Sequence, residues 1–232
     1  MKTMLISGGT STIGEAAVRY FTQKGWHVYF GYNTAREKAE ALEAELGPSV
    51  AALHLNVQDK DSIKTLASSI DELDLLINNS GIFSSFLTEA LEDAEVGRIF
   101  DVNVTGLFRL TKAVLPKLKE GASIINIASV NALMPTFGST THYDASKGAV
   151  IAYTRSLAAE LAPKIRVNAL APGLVAAPYL DEKNEIRKIF EKRSVLKRMV
   201  TSEEVAHALF FMAENTALTG AVIPLDCGYT IG

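Results

Sequence analysis

Short apolar runs alternate with amphipathic stretches along the whole chain, and most of the apolar runs end on a polar or glycine-rich cluster. The first run, residues 4–7, leads into Ser7-Gly8-Gly9-Thr10-Ser11-Thr12-Ile13-Gly14. Helical spacing follows over 15–24, with Gly25 as its stop. Residues 26–32 read as the next strand. Strand, glycine turn, helix and strand form a βαβ unit, whose crossover is right-handed. The alternation continues with a helix over 34–46, a strand over 50–57, a helix over 60–70 and a strand over 73–78. One or two helices occupy 87–119, with Gly97 and Pro116 as punctuation. A strand over 122–128 precedes a helix that runs to about Leu161. A strand over 165–170, helices over 181–192 and 202–213, and a strand over 222–225 complete the chain. This pattern predicts an α/β fold with a doubly wound parallel sheet of about seven strands and helices on both faces. With no linker-like stretch, 1–232 reads as one domain.

Size and charge agree with that reading. At 232 residues and 48% hydrophobic, the chain is long enough for a substantial core. A net charge of −3, spread without long blocks, points to neither nucleic acid nor anionic lipid. Cys227 is the only cysteine, so no intrachain disulfide forms, which suits a reducing cytoplasm. It reads as a small buried hydrophobe. No apolar run is long enough to span a bilayer.

In open parallel sheets, ligands bind beyond the carboxyl ends of the strands. The polar clusters fall at those ends: Gly8–Gly14, Asn56, Asn78–Gly81, Ser129 and Pro172-Gly173. The backbone N–H groups of the first turn, with the helix N-terminus behind them, make an anion site suited to a dinucleotide pyrophosphate. Tyr143 and Lys147 stand four apart on a helix and therefore share a face. An ammonium beside a phenol favours the phenolate and is expected to lower a pKa that is ordinarily about 10. A tyrosine tuned in this way exchanges a proton with a substrate oxygen near neutral pH.

Taken together, these pieces resemble the short-chain dehydrogenase/reductase family, in its branch of single-domain Rossmann folds similar to the 3-oxoacyl carrier-protein reductases. Ser7-Gly8 with Thr12-Ile13-Gly14 matches the family's glycine turn, and Asn78-Asn79-Ser80-Gly81 matches its Asn-Asn-Ala-Gly segment. Asn103, Ser129, Tyr143 with Lys147, and Asn168 through Pro172-Gly173 follow in the family's order, and the Thr219-Gly220 to Gly228 tail closes it. The resemblance runs essentially end to end. It implies Tyr143 as general acid/base, Lys147 lowering its pKa and holding the nicotinamide ribose, Ser129 holding the substrate oxygen, and Asn103 holding a water in a proton relay. It also implies a dinucleotide along Gly8, Ser11, Thr12, Ile13 and Gly14 at the pyrophosphate. Asn33, Asn56, Val57, Asn79, Ser80 and Gly81 belong to the adenosine side, and Pro172, Gly173 and Val175 to the nicotinamide. No metal is implied. Relatives form dimers or tetramers through their long helices, so a homo-oligomer is expected.

Several positions depart from the family pattern. Thr12 replaces a turn glycine; if its φ is positive, the backbone strain is about 1–2 kcal/mol, and Thr12→Gly should improve cofactor affinity. Ala177 replaces a threonine that binds the carboxamide, Asn56 replaces an aspartate, and Cys227 replaces a glycine. The Ser129–Tyr143 gap is about one residue longer than usual, so a bulge is expected there. The second strand ends in Tyr32-Asn33-Thr34-Ala35-Arg36, without the acid that would hold a ribose 2′-hydroxyl. Asn33, Thr34 and Arg36 are available to a 2′-phosphate, so NADP(H) is favoured over NAD(H), although Ser11 stands where many NADP-binding relatives carry a base. Residues 174–197 should cover the substrate pocket. Phe83, Leu133, Met134, Phe137, His142, Tyr179 and Leu180 are its candidate lining, with His142 a bystander to Tyr143. A hydrophobic carbonyl compound is the expected substrate, a 3-oxoacyl thioester or a small ketone. The leading function is therefore NAD(P)-dependent interconversion of carbonyl and alcohol. The alternatives are a non-catalytic NAD(P)-binding sensor, an epimerase or dehydratase, and an assembly scaffold.

Overall fold

The computed structural model describes residues 1–135 and 138–232. Seven parallel strands form one sheet in the order β3-β2-β1-β4-β5-β6-β7. They are β1 (Thr3–Ile6), β2 (His27–Tyr32), β3 (Val50–His54), β4 (Leu73–Asn78), β5 (Leu118–Ile127), β6 (Arg166–Pro172) and β7 (Val222–Leu225). The helices are α1 (Thr12–Gln23), α2 (Arg36–Leu46), α3 (Lys60–Ser68), α4 (Asp93–Phe100), α5 (Leu107–Val114), α6 (Thr141–Leu161), α7 (Glu185–Arg193) and α8 (Ser202–Glu214). The strand order reverses beside β1, so the exits of β1 and β4 lie next to each other at the switch point where such sheets hold ligands.

The apolar runs are buried on both faces, as parallel strands require. One core holds Met4, Ile6, Phe21, Phe30, Leu75 and Leu209; the opposite face holds Leu5, Leu66, Leu76, Leu110, Ile124 and Val167. α1 starts at Thr12 rather than at Glu15, because the Ser11 hydroxyl accepts the Gly14 N–H and caps the helix. Gly25 follows the helix with φ +79°, the left-handed stop expected of it. α7 starts at Glu185 rather than at 181, since the Asn184 side chain accepts the N–H groups of Ile186 and Arg187.

The segment expected to be helical over 87–119 differs most. α4 and α5 are joined by a π-turn over Asp101–Gly106, so Gly97 interrupts nothing. Leu118 and Lys119 already belong to β5, where Leu118 pairs with Leu73. Gly106 permits the π-turn to approach the sheet: a Cβ there would meet the Val57 side chain at 2.7 Å. No described helix is long and apolar enough to cross a membrane.

Candidate active site

The exits of β1 and β4 are stitched together before any ligand is considered. The Ser7 hydroxyl accepts the N–H groups of Asn79 (3.0 Å) and Ser80 (2.8 Å). The Asn79 amide donates to the carbonyls of Ser7 and Gly8, both at 3.0 Å, and to the Ser11 hydroxyl at 3.2 Å. Gly8 has φ +65°, and a Cβ on Gly14 would lie 2.1 Å from the Gly8 carbonyl oxygen, so only glycine lets the helix start so close to the turn. Thr12 is different. It is the first residue of α1, and among the described residues only Lys197 and Cys227 are non-glycine with positive φ. The strain considered for Thr12 is therefore absent. Cys227, at φ 54° and only partly buried, packs against the core rather than within it.

Two clefts open along this edge. The first, about 340 Å³, holds Gly8, Ser11, Asn33, Asn56, Val57, Asn79, Ser80 and Gly81. The second, about 320 Å³, holds Ser11, Thr12, Ile13, Asn79, Gly81, Ser129, Tyr143, Lys147, Pro172, Gly173, Val175 and Ala177. They share Ser11, Asn79, Gly81 and Ile82, so they are continuous around the glycine turn. A two-ended ligand with an anionic middle fits this cradle: a polar trough at either end, and the α1 N-terminus with its glycine backbone between them. Of the catalytic residues and those placed along the pyrophosphate, adenosine and nicotinamide, only Gly14 and Asn103 line neither cleft. The Gly14 N–H is spent on Ser11. Arg36 lines neither cleft, whereas Thr10, Gln58 and Arg98 line the first. Lys38, also not singled out, reaches the turn from α2, donating to the Thr10 carbonyl at 2.7 Å and pairing with Glu15 at 2.9 Å. Its place on the first turns of α2 was visible in the sequence; its reach across to the glycine turn was not.

Asn103 sits in the π-turn, 1% exposed, directly behind Gly81. Its side chain accepts the Ile82 N–H at 2.8 Å and donates to the Ile82 carbonyl at 3.0 Å and to Ser146 at 3.1 Å. The amide thus fastens the exit of β4 to α6. Lys147 is buried and donates to the Ile127 carbonyl at 2.8 Å. Its Nζ lies 5.9 Å from the centre of the Tyr143 ring. Burial lowers the Lys147 ammonium to about 8. Burial also pushes the Tyr143 phenol up to about 12, against a hydrogen bond from Ser129 and with the Asp144 carboxylate adding to the rise. In the protein alone burial sets the direction for Tyr143, and Ser129, not Lys147, is what opposes it.

A third cavity, about 250 Å³, adjoins Ser129 and Tyr143 on the side away from the glycine turn. Phe83, Tyr179 and Leu180 line it as anticipated, and Phe83 packs edge-on to Tyr143 at 4.9 Å. Val130, Asn131, Ile186 and Phe190 line it too and were not singled out from sequence. Leu133, Met134 and His142 do not; His142 is buried and bonds Ser84 at 2.8 Å. Phe137, and with it part of the segment where a bulge is expected, lies outside the described residues.

A family model described as enoyl-(acyl carrier protein) reductase matches residues 8–230. The chain is 35% identical to a 3-oxoacyl-(acyl-carrier-protein) reductase of Thermotoga maritima, over 99% of the chain and 98% of that protein. It is 36% identical to a 3-alpha-(or 20-beta)-hydroxysteroid dehydrogenase of Mycobacterium tuberculosis, over 100% of the chain and 90% of the relative. Among solved structures, a short-chain dehydrogenase/reductase from Serratia marcescens matches with TM-score 0.94 at 28% identity, over 99% of this chain and 98% of that one. BdcA in complex with NADPH matches with TM-score 0.91 at 29% identity, over 98% and 93%. With seven parallel strands in this order and relatives matching along their whole length, the chain belongs to the short-chain dehydrogenase/reductase family and is an NAD(P)-dependent oxidoreductase that interconverts carbonyl and alcohol.

Proposed function

We propose that the chain reduces a ketone at Tyr143, with NADP(H) preferred to NAD(H). One observation carries this reading: Ser129 and Tyr143 line both the nucleotide-side cleft and the separate apolar cavity, so a carbonyl held there touches both. The bound dinucleotide supplies the hydride. The chain's own residues do the rest. Ser129 donates to the substrate oxygen, where negative charge grows. Tyr143 Oη, protonated over the ordinary pH range, gives its proton to that oxygen. Lys147 binds the ribose beside the nicotinamide, and Asn103 holds the wall behind Gly81. Gly8, Ser11, Thr12, Ile13 and Gly14 form the pyrophosphate cradle, Asn33, Asn56, Val57, Asn79 and Ser80 the adenosine trough, and Pro172, Gly173 and Val175 the nicotinamide wall.

The preference for NADP(H) is supported by the lining of the adenosine trough, where no carboxylate stands among the described residues and Asn33 and Thr34 occupy the exit of β2. Lys38 adds a positive charge at the glycine turn. Residues 174–197 serve as the substrate lid within a single domain. We also infer a cytoplasmic homo-oligomer, a dimer or tetramer, supported by the exposed Phe108 of α5 and its ring contact with Tyr153 of α6 at 3.9 Å.

The test is a panel of ketones with NADPH and NADH against wild type and Tyr143→Phe. The variant should lose about 10²–10⁴-fold in kcat/KM while binding NADPH within threefold of wild type. Turnover that survives the substitution would remove Tyr143 from the proposed role. Equal dissociation constants for NADPH and NADH would remove the cofactor preference.

A further inference from the structure

The apolar cavity constrains the substrate more narrowly than the word carbonyl does. None of its described lining residues carries a charge; the polar side chains are those of Ser129, Asn131, Tyr143 and Tyr179. Behind these groups stand a carboxylate and an ammonium: the Asn131 amide donates to the Asp144 carboxylate at 2.8 Å, and Lys147 Nζ, 5.9 Å from the Tyr143 ring centre, is engaged by the Ile127 carbonyl. The two arginines of α7 are engaged elsewhere. Arg187 pairs with Glu191 at 2.9 Å and with the Leu180 carbonyl at 3.2 Å. The Arg193 guanidinium lies 4.5 Å over the Tyr229 ring, whose other face stacks on Phe190.

The back wall is equally defined. Phe190 is 1% exposed and lies parallel to Tyr229, with an interplanar angle of 5° and ring centres 4.6 Å apart. It presses on Gly173 so closely that a Cβ there would meet the Phe190 ring at 2.6 Å. The C-terminal turn therefore sets the depth of the cavity. At about 250 Å³ it falls below the roughly 300–1,000 Å³ of sites for drug-sized ligands.

We propose that this site selects neutral, compact ketones whose apolar arm seats against Phe190, and rejects ketones that carry a carboxylate or phosphate next to the reacting carbonyl. The selection rests on the ketone-reductase reading above. An anion in this cavity gives up its water and finds no cation among the residues that line it, while the Asp144 charge behind Asn131 opposes it. A fused-ring ketone of steroid size is excluded by the Phe190 wall.

Three ligands test this on the full chain loaded with NADP⁺: acetophenone, its carboxylate analogue benzoylformate, and a steroid ketone. Dissociation constants are measured by calorimetry, and kcat/KM separately with NADPH. Acetophenone should bind at least tenfold more tightly than either of the others. Ile186 lines the mouth and is 37% exposed, so Ile186→Lys can set an ammonium there without entering the core. That variant should bind benzoylformate tenfold or more tightly than wild type does. Wild-type affinity for benzoylformate or the steroid equal to that for acetophenone would overturn the selection, as would failure of acetophenone to bind. Binding in the expected order without turnover of any ketone would leave the selection standing and sink the reductase reading alone.

Discussion

Lys147 Nζ donates its 2.8 Å hydrogen bond to the Ile127 carbonyl, at the end of β5, and not to the Tyr143 phenol. The bond joins α6 to the sheet where the nucleotide-side cleft opens. An ammonium has three donors, so two remain for a ligand in that cleft. Burial acts on the two neighbours in opposite ways: it raises the Tyr143 phenol and lowers the Lys147 ammonium, so each tends to its neutral form.

That loss gives a pH signature for dinucleotide binding. Lys147 is depressed to about 8 by burial, and a bound pyrophosphate favours the charged form. Below pH 8 the cation is already present and affinity is insensitive to pH from this source. Above pH 8 a proton must be taken up on binding, so Kd for NADPH rises, by up to about tenfold per pH unit. Titration calorimetry at pH 7 and 9.5 should show this rise together with proton uptake at the higher pH. Lys147→Gln should bind more weakly at pH 7 and lose the dependence; a wild-type Kd that is flat from 7 to 9.5 rules out this role for Lys147.

Thr12 occupies an ordinary helical position, so Thr12→Gly relieves no strain. It should lower stability by about 0.3–1 kcal/mol through backbone entropy and should not tighten NADPH binding. Urea denaturation and a Kd measurement decide the matter; a more stable, tighter-binding variant would mean that the threonine is the strained residue after all.

Arg166, at the start of β6, donates to the carbonyls of Met212, Ala213, Asn215 and Leu218. These oxygens surround the C-terminal end of α8, where carbonyls have no partner within the helix. Arg166→Ala leaves them unpaired and should cost about 2–4 kcal/mol, or roughly 5–12 °C in Tm for a chain of this size. Calorimetric scans of the variant should show it; a shift under 2 °C would mean that water replaces the guanidinium without loss.

The strands were legible because parallel strands buried on both faces leave unbroken apolar runs, and β4 and β7 begin and end where those runs do. Ser11 and Asn184 are ordinary capping residues, and each marks the start of its helix. What the sequence did not disclose depends on contacts far apart in the chain. The Lys38 bond to Thr10 spans the βα turn and a strand. Asn103 reads as an awkward mid-helix amide until Ile82 is folded against it. The raised Tyr143 pKa is a property of packed surroundings, which neighbours in sequence do not report.

The π-turn over Asp101–Gly106 inserts one residue into what is otherwise a single helical rod. One extra residue turns everything after it by about 100° relative to an uninterrupted helix. The two halves therefore need not present their apolar sides in the same direction. The first carries Ile99 and, through the turn, Asn103 toward the ligand edge of the sheet; the second carries Leu110 and Val114 into the core and leaves Phe108 outward. Removing that one residue would rephase the rod, so the site wall and the outward face could not both keep their places. A deletion there would shift the cleft wall, which Val102 of the turn lines, relative to the exposed Phe108.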